Sequence, residues 1–167
     1  MFTRHFAHWP PGLPRTLRVP RTTIHFNLEV SARRYGDSAA VDYYGNRVTY
    51  GELKRQTDAI AGFLQRRCGV TKGDRVLLYC QNGLHFIIGY YAILRADAVV
   101  VPVNPMTRSE ELRHYIGDAQ AAVMIAASSS LRSLSSWRKA NRTLVRLVSD
   151  VRLHSAKAAL AAAKSRS

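Results

Sequence analysis

Short apolar runs alternate with amphipathic stretches along the middle of the chain, and this alternation predicts the fold. Strands are predicted at 39–44, 47–48, 75–80, 98–103 and 121–125. Helices are predicted at 22–34, 49–68, 84–94 and 109–116. Helices that alternate with strands at this spacing are typical of βαβ units. We therefore expect an α/β fold with a partial, mostly parallel sheet and flanking helices.

Local sequence signals set the boundaries of several of these elements. Thr49 and Glu52 have the spacing of a capping box, which begins a helix, and Gly69 is a typical residue just past a helix end. Gly45 and the following asparagine predict a turn between two short strands. The β-branched run that ends at Pro102 predicts a strand that is irregular or lies at a sheet edge, because proline cannot donate to a sheet ladder.

The composition divides the chain into three parts. Residues 1–21 contain four of the six prolines, which predicts an extended, non-helical lead-in. Residues 22–127 carry the α/β pattern. Residues 128–167 contain ten serines, seven alanines and nine Lys or Arg residues, and we expect a disordered or loosely helical basic tail there.

The net charge of +14 is concentrated at the two ends. The lead-in carries +4 and the tail +8, which leaves only +2 for residues 22–127. A protein that reads a nucleic-acid groove usually carries its basic stripe on an ordered element, so we expect no specific nucleic-acid binding. No apolar stretch reaches the roughly 20 residues of a membrane span. The start of the chain lacks the apolar core of a secretory signal, and we expect a cytoplasmic protein.

Residues that could carry chemistry are scattered rather than grouped. His5 and His8 lack a third metal ligand, and Cys68, although close to two arginines, has no accompanying catalytic histidine pattern. Lys72 and Gly73 are better explained as a turn that enters a strand than as a phosphate contact. The other candidates are interpreted as core or surface residues: Cys80, His25, His85, His114, Tyr90, Tyr91, Asp42, Asp58 and Glu52. We expect no catalytic, cofactor-binding or metal-ligating residue in this chain.

Four motifs in register resemble those of the adenylate-forming (AMP-binding) synthetases. The segment 48–53, Val-Thr-Tyr-Gly-Glu-Leu, resembles their first core motif, and 93–105, which contains Val-Pro-Val-Asn-Pro, resembles the second. Between them lie a Gly-Asp-Arg-Val strand entry at 73–76 and a Gln-Asn turn at 81–82. Upstream residues such as Trp9-Pro10 are similar to the opening of long-chain fatty-acid–CoA ligases. One departure is Asp97, where the family usually has glycine or another small residue.

The resemblance implies a fold, an activity and a set of ligands. It implies the N-terminal portion of the family's large domain at 22–127, followed by a basic tail outside the family pattern. The family's substrates are a fatty acid, ATP and coenzyme A, and Mg²⁺ assists the formation of an acyl-adenylate before the thiol displaces AMP. The Ser/Thr/Gly-rich phosphate loop, the magnesium-binding Thr-Glu pair and the later catalytic lysine that the family uses are not found in the sequence.

These observations give one main hypothesis and two alternatives. The main hypothesis is a truncated fatty-acyl-CoA ligase that is inactive alone and binds no cofactor by itself. The abrupt change after Ala127 resembles the product of a frameshift in GC-rich DNA, and the open edge of a partial sheet predicts self-association. The first alternative is a small basic protein that binds nucleic acid or an anionic membrane through Trp137, Arg138, Lys139, Arg142 and Arg146. The second, a self-contained flavodoxin-like nucleotide module, lacks a glycine-rich fingerprint.

Overall fold

The structure, a computed structural model, describes residues 3–16, 18–121, 123–126 and 146–149, the last group as backbone. The helices in these residues are a 3-10 helix at Arg4–His8, α1 (Ile24–Arg34), α2 (Tyr50–Cys68), α3 (Leu84–Arg95) and α4 (Ser109–Ala119). The strands are β1 (Ala39–Tyr43), β2 (Asn46–Thr49), β3 (Arg75–Tyr79), β4 (Val99–Pro102), β5 (Val123–Ala126) and β6 (Arg146–Ser149). Among the described helices, none is both long and apolar enough to cross a membrane.

Four strands form a parallel sheet in the order β4-β3-β5-β6. Strand β3 pairs with β4 on one side and with β5 on the other, and β6 pairs with β5. The predicted mostly parallel α/β fold is therefore confirmed. Strands β1 and β2 form a separate antiparallel hairpin.

Two hydrophobic cores lie on opposite faces of the sheet, and β3 contributes to both. Val76 and Leu78 belong to the core that includes residues of α1, α2 and α3, whereas Leu77 and Tyr79 belong to the core that includes α4. Side chains of successive strand residues point to opposite faces, so a strand covered on both sides is apolar throughout. Val76, Leu77 and Leu78 are each 0% exposed. The described part of the chain is thus a helix–sheet–helix sandwich, in which β3 and β5 are buried between the two helical layers.

Helix α2 begins and ends at the residues that the sequence predicts. The Thr49 hydroxyl accepts from the Glu52 amide at 3.2 Å, and the Glu52 carboxylate accepts from the Thr49 amide at 3.1 Å. This reciprocal pair satisfies two amide groups that the first turn leaves without helical partners. At the other end Gly69 adopts a φ of +70°, which the absence of a Cβ permits.

Three local features differ from the sequence-based expectations. The hairpin turn is formed by Tyr44 and Gly45, both with positive φ, so Asn46 already belongs to β2. The lead-in, predicted as extended and non-helical, begins with a 3-10 turn because its prolines restrict the backbone only from Pro10 onward. The third difference is β6, which pairs with β5 inside the region predicted as a disordered or loosely helical tail. The remainder of that region lies outside the described residues.

Pro102 is accommodated because β4 is an end strand of the described sheet. The Val103 amide donates to the Leu78 carbonyl of β3 at 3.0 Å. The Val99 amide donates to the carbonyl of Asp74, the residue just before β3, at 2.8 Å. Since alternate residues of a strand direct their backbone groups to opposite sides, the Pro102 nitrogen faces away from β3. The missing N–H therefore removes no ladder hydrogen bond, as the edge interpretation predicts.

Asp97 occupies a backbone conformation that favours glycine. Its φ is +60°, in the left-handed region, at the turn between α3 and β4. Its carbonyl accepts from the Gly73 amide at 2.9 Å, which joins this turn to the one that enters β3. Asp tolerates positive φ better than most residues, but with strain that glycine avoids.

Tyr79 connects the end of β3 to the segment after β4. Its hydroxyl donates to the Pro105 carbonyl at 2.7 Å and lies 3.3 Å from the Thr107 carbonyl. Burial raises the pKa of Tyr79 above its ordinary value of 10.0, because a buried phenolate would lose hydration. The side chain is therefore a neutral hydrogen-bond donor at physiological pH.

Replacing Asp97 by glycine is expected to stabilise the fold. Asp97→Gly removes the strain of a side chain in the left-handed region and should raise the free energy of unfolding by about 1 kcal/mol. The matched control is Asp118→Gly, since Asp118 lies inside α4, where glycine destabilises a helix by up to about 1 kcal/mol. Chemical denaturation of the full chain measures both. Equal effects of the two substitutions would contradict this account of Asp97.

Removing the Tyr79 hydroxyl is expected to destabilise the fold. Tyr79→Phe deletes one buried hydrogen bond and should lower the free energy of unfolding by about 1 kcal/mol, whereas Tyr115→Phe, at an exposed position of α4, should change it little. The folded state holds the Tyr79 proton more tightly than the unfolded state does. The contribution of the Tyr79 hydroxyl to the free energy of unfolding is therefore complete below pH 10.0 and is lost as the pH rises through the raised pKa of the folded state.

This pH dependence has a direct measurement. The difference in unfolding free energy between the unmodified chain and Tyr79→Phe should shrink between neutral pH and pH values above 10.0. A constant difference over this range would show that Tyr79 ionises equally in both states, and a growing one would show that folding lowers its pKa; either result would contradict this account.

Candidate functional site

The carboxyl edge of the parallel sheet is the candidate site. The chain passes from β3 to its neighbour β4 and then back across β3 to β5, so the direction of winding reverses at β3. In open α/β sheets, ligands bind outside the carboxyl ends of the strands at such a reversal. The described segments at this edge are 80–83 after β3, here called the first loop, and 103–108 after β4, the second loop. The residues that directly follow β5, 127–145, lie outside the described residues.

The first loop is held from two sides. Cys80 is buried, and its Sγ lies 3.8 Å from the Ile125 carbonyl of β5. Tyr43 of the hairpin donates from its hydroxyl to the Asn82 carbonyl at 3.2 Å. The Tyr43 ring also lies so close to Gly83 that a Cβ there would sit 3.3 Å from the ring. A side chain at Gly83 would therefore push this tyrosine away, and the hairpin and the first loop fit each other through glycine.

The second loop is held by its own asparagine and by Tyr79. The Asn104 side-chain oxygen accepts from the Met106 amide at 2.9 Å, and the Thr107 amide donates to the Asn104 carbonyl at 2.9 Å. This is the local turn geometry that asparagine favours. Together with the Tyr79 hydroxyl, these bonds fix the second loop relative to β3.

The exposed side chains at this edge are mostly uncharged amides. Gln81, Asn82 and Asn104 are exposed amides, and Arg108, where the second loop meets α4, is the one charged residue of 80–83 and 103–108. Amide side chains donate and accept hydrogen bonds and can orient a ligand. They do not titrate at physiological pH, so they cannot serve as general acids or bases. The two loops can position a ligand, but they offer no carboxylate and only one cation for chemistry.

Lys72 and Gly73 lie at the opposite, amino end of β3. They form the turn that enters the strand, and Gly73 has a φ of +88°. Asp74 accepts from the Thr71 amide at 2.7 Å and from its hydroxyl at 2.9 Å. These hydrogen bonds, the amide first, lower the pKa of Asp74 below its ordinary value. The interpretation of this segment as a turn is confirmed.

The candidate carboxylates have structural partners. Asp58 of α2 forms an ion pair with Lys54 and another with Arg95 of α3, at 3.2 Å. Asp42 pairs with Arg47 across the hairpin at 2.8 Å. Glu52 belongs to the helix cap. No two of these three carboxylates are brought together as a catalytic pair.

The remaining candidates also have structural surroundings. The His5 ring contacts Phe6 and Trp9, Tyr90 stacks on Phe86, and Cys68 is half-buried at the end of α2. Over the described ranges, no group of three or more His, Cys, Asp or Glu residues could hold a metal ion. The tail residues Trp137, Arg138, Lys139 and Arg142 lie outside the described residues, and Arg146 is described only as backbone of β6. The expectation that the chain contains no site residues stays a prediction.

Sequence reasoning missed the two tyrosines that hold the loops. Tyr79 had a detectable signal, since it follows the apolar run Val76–Leu78 at the buried end of the strand, and a buried tyrosine hydroxyl usually finds a partner. Tyr43 had no such signal. Its partner Asn82 is 39 residues away, and only the packing of the hairpin against the first loop reveals the contact.

Comparison with known proteins identifies the family. The AMP-binding enzyme family matches residues 28–167, which includes the region that we expected to form a separate tail. A long-chain-fatty-acid–CoA ligase of Bacillus subtilis is 35% identical over 119 residues, 71% of this chain and 21% of the relative. The ligase of the same name from Salmonella typhimurium is 38% identical over 127 residues, 75% of this chain and 23% of the relative. The chain thus spans about a fifth of the length of these relatives.

Solved structures show the same fold. A long-chain-fatty-acid–CoA ligase from Archaeoglobus fulgidus matches with a TM-score of 0.73 at 23% identity, over 85% of this chain and 30% of that one. The anthranilate–CoA ligase AuaEII in complex with anthranoyl-AMP also gives a TM-score of 0.73, at 19% identity, over 79% of this chain and 26% of that one. From its motifs, its parallel sheet and these matches, the chain belongs to the AMP-binding, adenylate-forming enzyme family and corresponds to a part of an acyl-CoA ligase.

Proposed function

We propose that residues 22–126 are the scaffold of a fatty-acyl-CoA ligase domain and that these 167 residues alone do not form acyl-CoA. The observation that carries this proposal is the carboxyl edge, where the first and second loops offer exposed amides and backbone groups, no carboxylate, and a single cation, Arg108, at the start of α4. The substrate class, a long-chain fatty acid with ATP and coenzyme A, is supported by the names of the two curated relatives. We place the chain in the cytoplasm.

The described edge does not fit a magnesium-bound triphosphate. Mg²⁺ requires oxygen ligands with near-octahedral geometry and is usually bound by one or two carboxylates. Phosphoryl transfer further requires positive charge around the transferred group. The first loop and residues 103–107 of the second supply neither a carboxylate nor a lysine or arginine. The amides could position a ligand, and the charged machinery would have to come from residues other than these.

The sequence supports the proposal that the two loops do not supply the charged groups of an ATP site. It contains no Ser/Thr/Gly-rich loop that ends in Lys-Gly, and its one Lys-Gly pair, Lys72-Gly73, is the turn at the amino end of β3. An ATP site at the carboxyl edge therefore cannot use this lysine without unfolding the turn. The alternative function, binding through the basic tail, gains no support from the described residues or from the comparisons.

We further propose that the chain self-associates through β4. It is an end strand of the described sheet, and it presents a β-branched, uncharged surface in which Val99 is 48% exposed. Open strand edges offer backbone groups for pairing with another chain. Pro102 limits this association, since its position on the outward side has no N–H, and pairing is left to the backbone around Val100.

The activity proposal predicts an assay without turnover. The purified full chain, supplied with ATP, Mg²⁺, coenzyme A and long-chain fatty acids, should release no pyrophosphate above background, because the two loops offer one cation and no carboxylate to hold Mg²⁺ and stabilise the transferred group. The Bacillus subtilis ligase in the same assay is the positive control, and circular dichroism establishes that the tested chain is folded. Pyrophosphate release that depends on both the fatty acid and the folded chain would contradict the proposal.

The association proposal predicts a charge-sensitive edge. Val99→Lys places a positive charge on the open strand, where two like charges would meet in an edge-to-edge pair, and should shift the chain toward monomer. Light scattering after size-exclusion chromatography over a range of concentrations measures the shift. Val19→Lys adds the same charge at an exposed position outside the sheet and should leave the association unchanged. Association that responds equally to both substitutions would exclude β4 as the interface.

A further inference from the structure

Asn82 and Gly83 of the first loop form the one Asn-Gly pair in the sequence. The Asn82 side chain is exposed. Within the described residues, neither this side-chain amide nor the Gly83 backbone N–H forms a hydrogen bond. An unengaged carboxamide therefore directly precedes an unengaged N–H, and these two groups can react with each other.

The reaction between them is an intramolecular displacement of ammonia. The Gly83 N–H loses its proton to solvent, and the nitrogen lone pair attacks Cγ of the Asn82 side chain. The bond from Cγ to the carboxamide nitrogen then breaks, that nitrogen takes a proton from water and leaves as ammonia, and a cyclic succinimide remains. Water opens the ring at either carbonyl, which leaves an aspartate or an isoaspartate. The sequence of steps consumes water, releases ammonia and involves no oxidation or reduction.

We propose that Asn82 is a site of spontaneous deamidation and that the Tyr43 hydroxyl promotes the reaction. The Asn82 carbonyl and the Gly83 N–H belong to one peptide group, so ionisation of the N–H places negative charge on the carbonyl oxygen. The Tyr43 hydroxyl donates to that same oxygen at 3.2 Å. A hydrogen bond strengthens when its acceptor becomes charged. A donor already directed at the atom where charge develops therefore lowers the barrier to the step.

The start of α3 favours the same ionisation. Gly83 is the N-cap residue of α3, no side chain caps this end, and the first turn contains no acidic residue. The free N–H groups of a first helical turn carry partial positive charge, which stabilises an anion at the adjacent peptide group. Gly83 also has no Cβ, so no side chain crowds its nitrogen as Cγ approaches.

The other described asparagines lack this arrangement. Asn104 precedes Pro105, which has no N–H to ionise, and the Asn104 side-chain oxygen already accepts from the Met106 amide at 2.9 Å. Asn27 lies inside α1, where the helical backbone holds the amide that follows it. Asn46 precedes an arginine, whose side chain crowds the amide nitrogen. We therefore expect Asn82 to react first among them.

Deamidation gives the two loops the carboxylate that they lack, since residues 80–83 and 103–108 contain no Asp or Glu. The aspartate product places its charge beside the start of α3, where negative charge stabilises a helix. The isoaspartate product lengthens the main chain before Gly83 and converts the carbonyl that Tyr43 holds into a free carboxylate. The first loop thus changes from neutral to anionic as the protein ages. This inference does not depend on the proposed function, since the reaction requires no ligase activity.

Peptide mapping of the full chain tests the site. The purified chain, shown to be folded by circular dichroism, is incubated in water enriched in the heavy isotope of oxygen, at neutral and at mildly alkaline pH. After digestion in ordinary water, mass spectrometry should find the label in the peptide that contains Asn82, at a rate that rises with the hydroxide concentration. The peptide that contains Asn104 should stay unlabelled. Protein isoaspartate methyltransferase should methylate the labelled peptide.

Variants test the role of the Tyr43 hydroxyl. Tyr43→Phe keeps the ring beside Gly83 but removes the donor, and it should slow labelling of the folded chain roughly 5-fold. In urea, where no fold positions Tyr43, this variant and the unmodified chain should react at equal rates. Tyr44→Phe removes a neighbouring hydroxyl from a side chain that is 93% exposed and should leave the rate unchanged. Asn82→Gln, whose ring would be larger, should abolish labelling at this position.

Two results would overturn the proposal. The first is an Asn82 peptide that takes up label in urea but not in the folded chain, which would show that the fold protects this asparagine. The second is a folded Tyr43→Phe chain that reacts as fast as the unmodified chain or faster, which would show that the hydroxyl only restrains the loop.

Discussion

The burial of β3 on both faces is the constraint on which the rest of the structure depends. Val76 and Leu78 face one core while Leu77 and Tyr79 face the other, so a strand of five residues joins two helical layers. A strand in this position must be apolar at every residue except where a polar tip can reach the surface of the sheet. Tyr79, at its carboxyl end, meets this condition and carries a hydroxyl into the second loop. The geometry of the candidate site therefore originates in the packing of the core.

The same arrangement separates stability from chemistry. The charged groups near the core form pairs on helix surfaces or in the hairpin, as Asp58 does with Arg95 and Asp42 with Arg47. At the carboxyl edge, amides and two tyrosine hydroxyls hold the loops without adding charge, and Arg108 is the one charged residue of the two loops. The groups that fix the loops are therefore neutral, and they do not compete for a phosphate or a cation. This is the property expected of a scaffold that positions loops for residues supplied elsewhere in a domain.

Sequence reasoning succeeded where the signal is local and failed where it is not. The capping box of Thr49, the stop at Gly69 and the edge position of Pro102 each follow from the chemistry of one or a few adjacent residues. The bond from Tyr43 to Asn82 spans 39 residues and depends on how a hairpin packs against a loop. The pairing of β6 with β5 was missed because the apolar residues around Leu147 and Val148 also fit a helical stripe, and because the composition of residues 128–167 as a whole favoured a tail. At the candidate site, the amide residues of the loops could be listed from sequence, but their fixation by Tyr43 and Tyr79 could not.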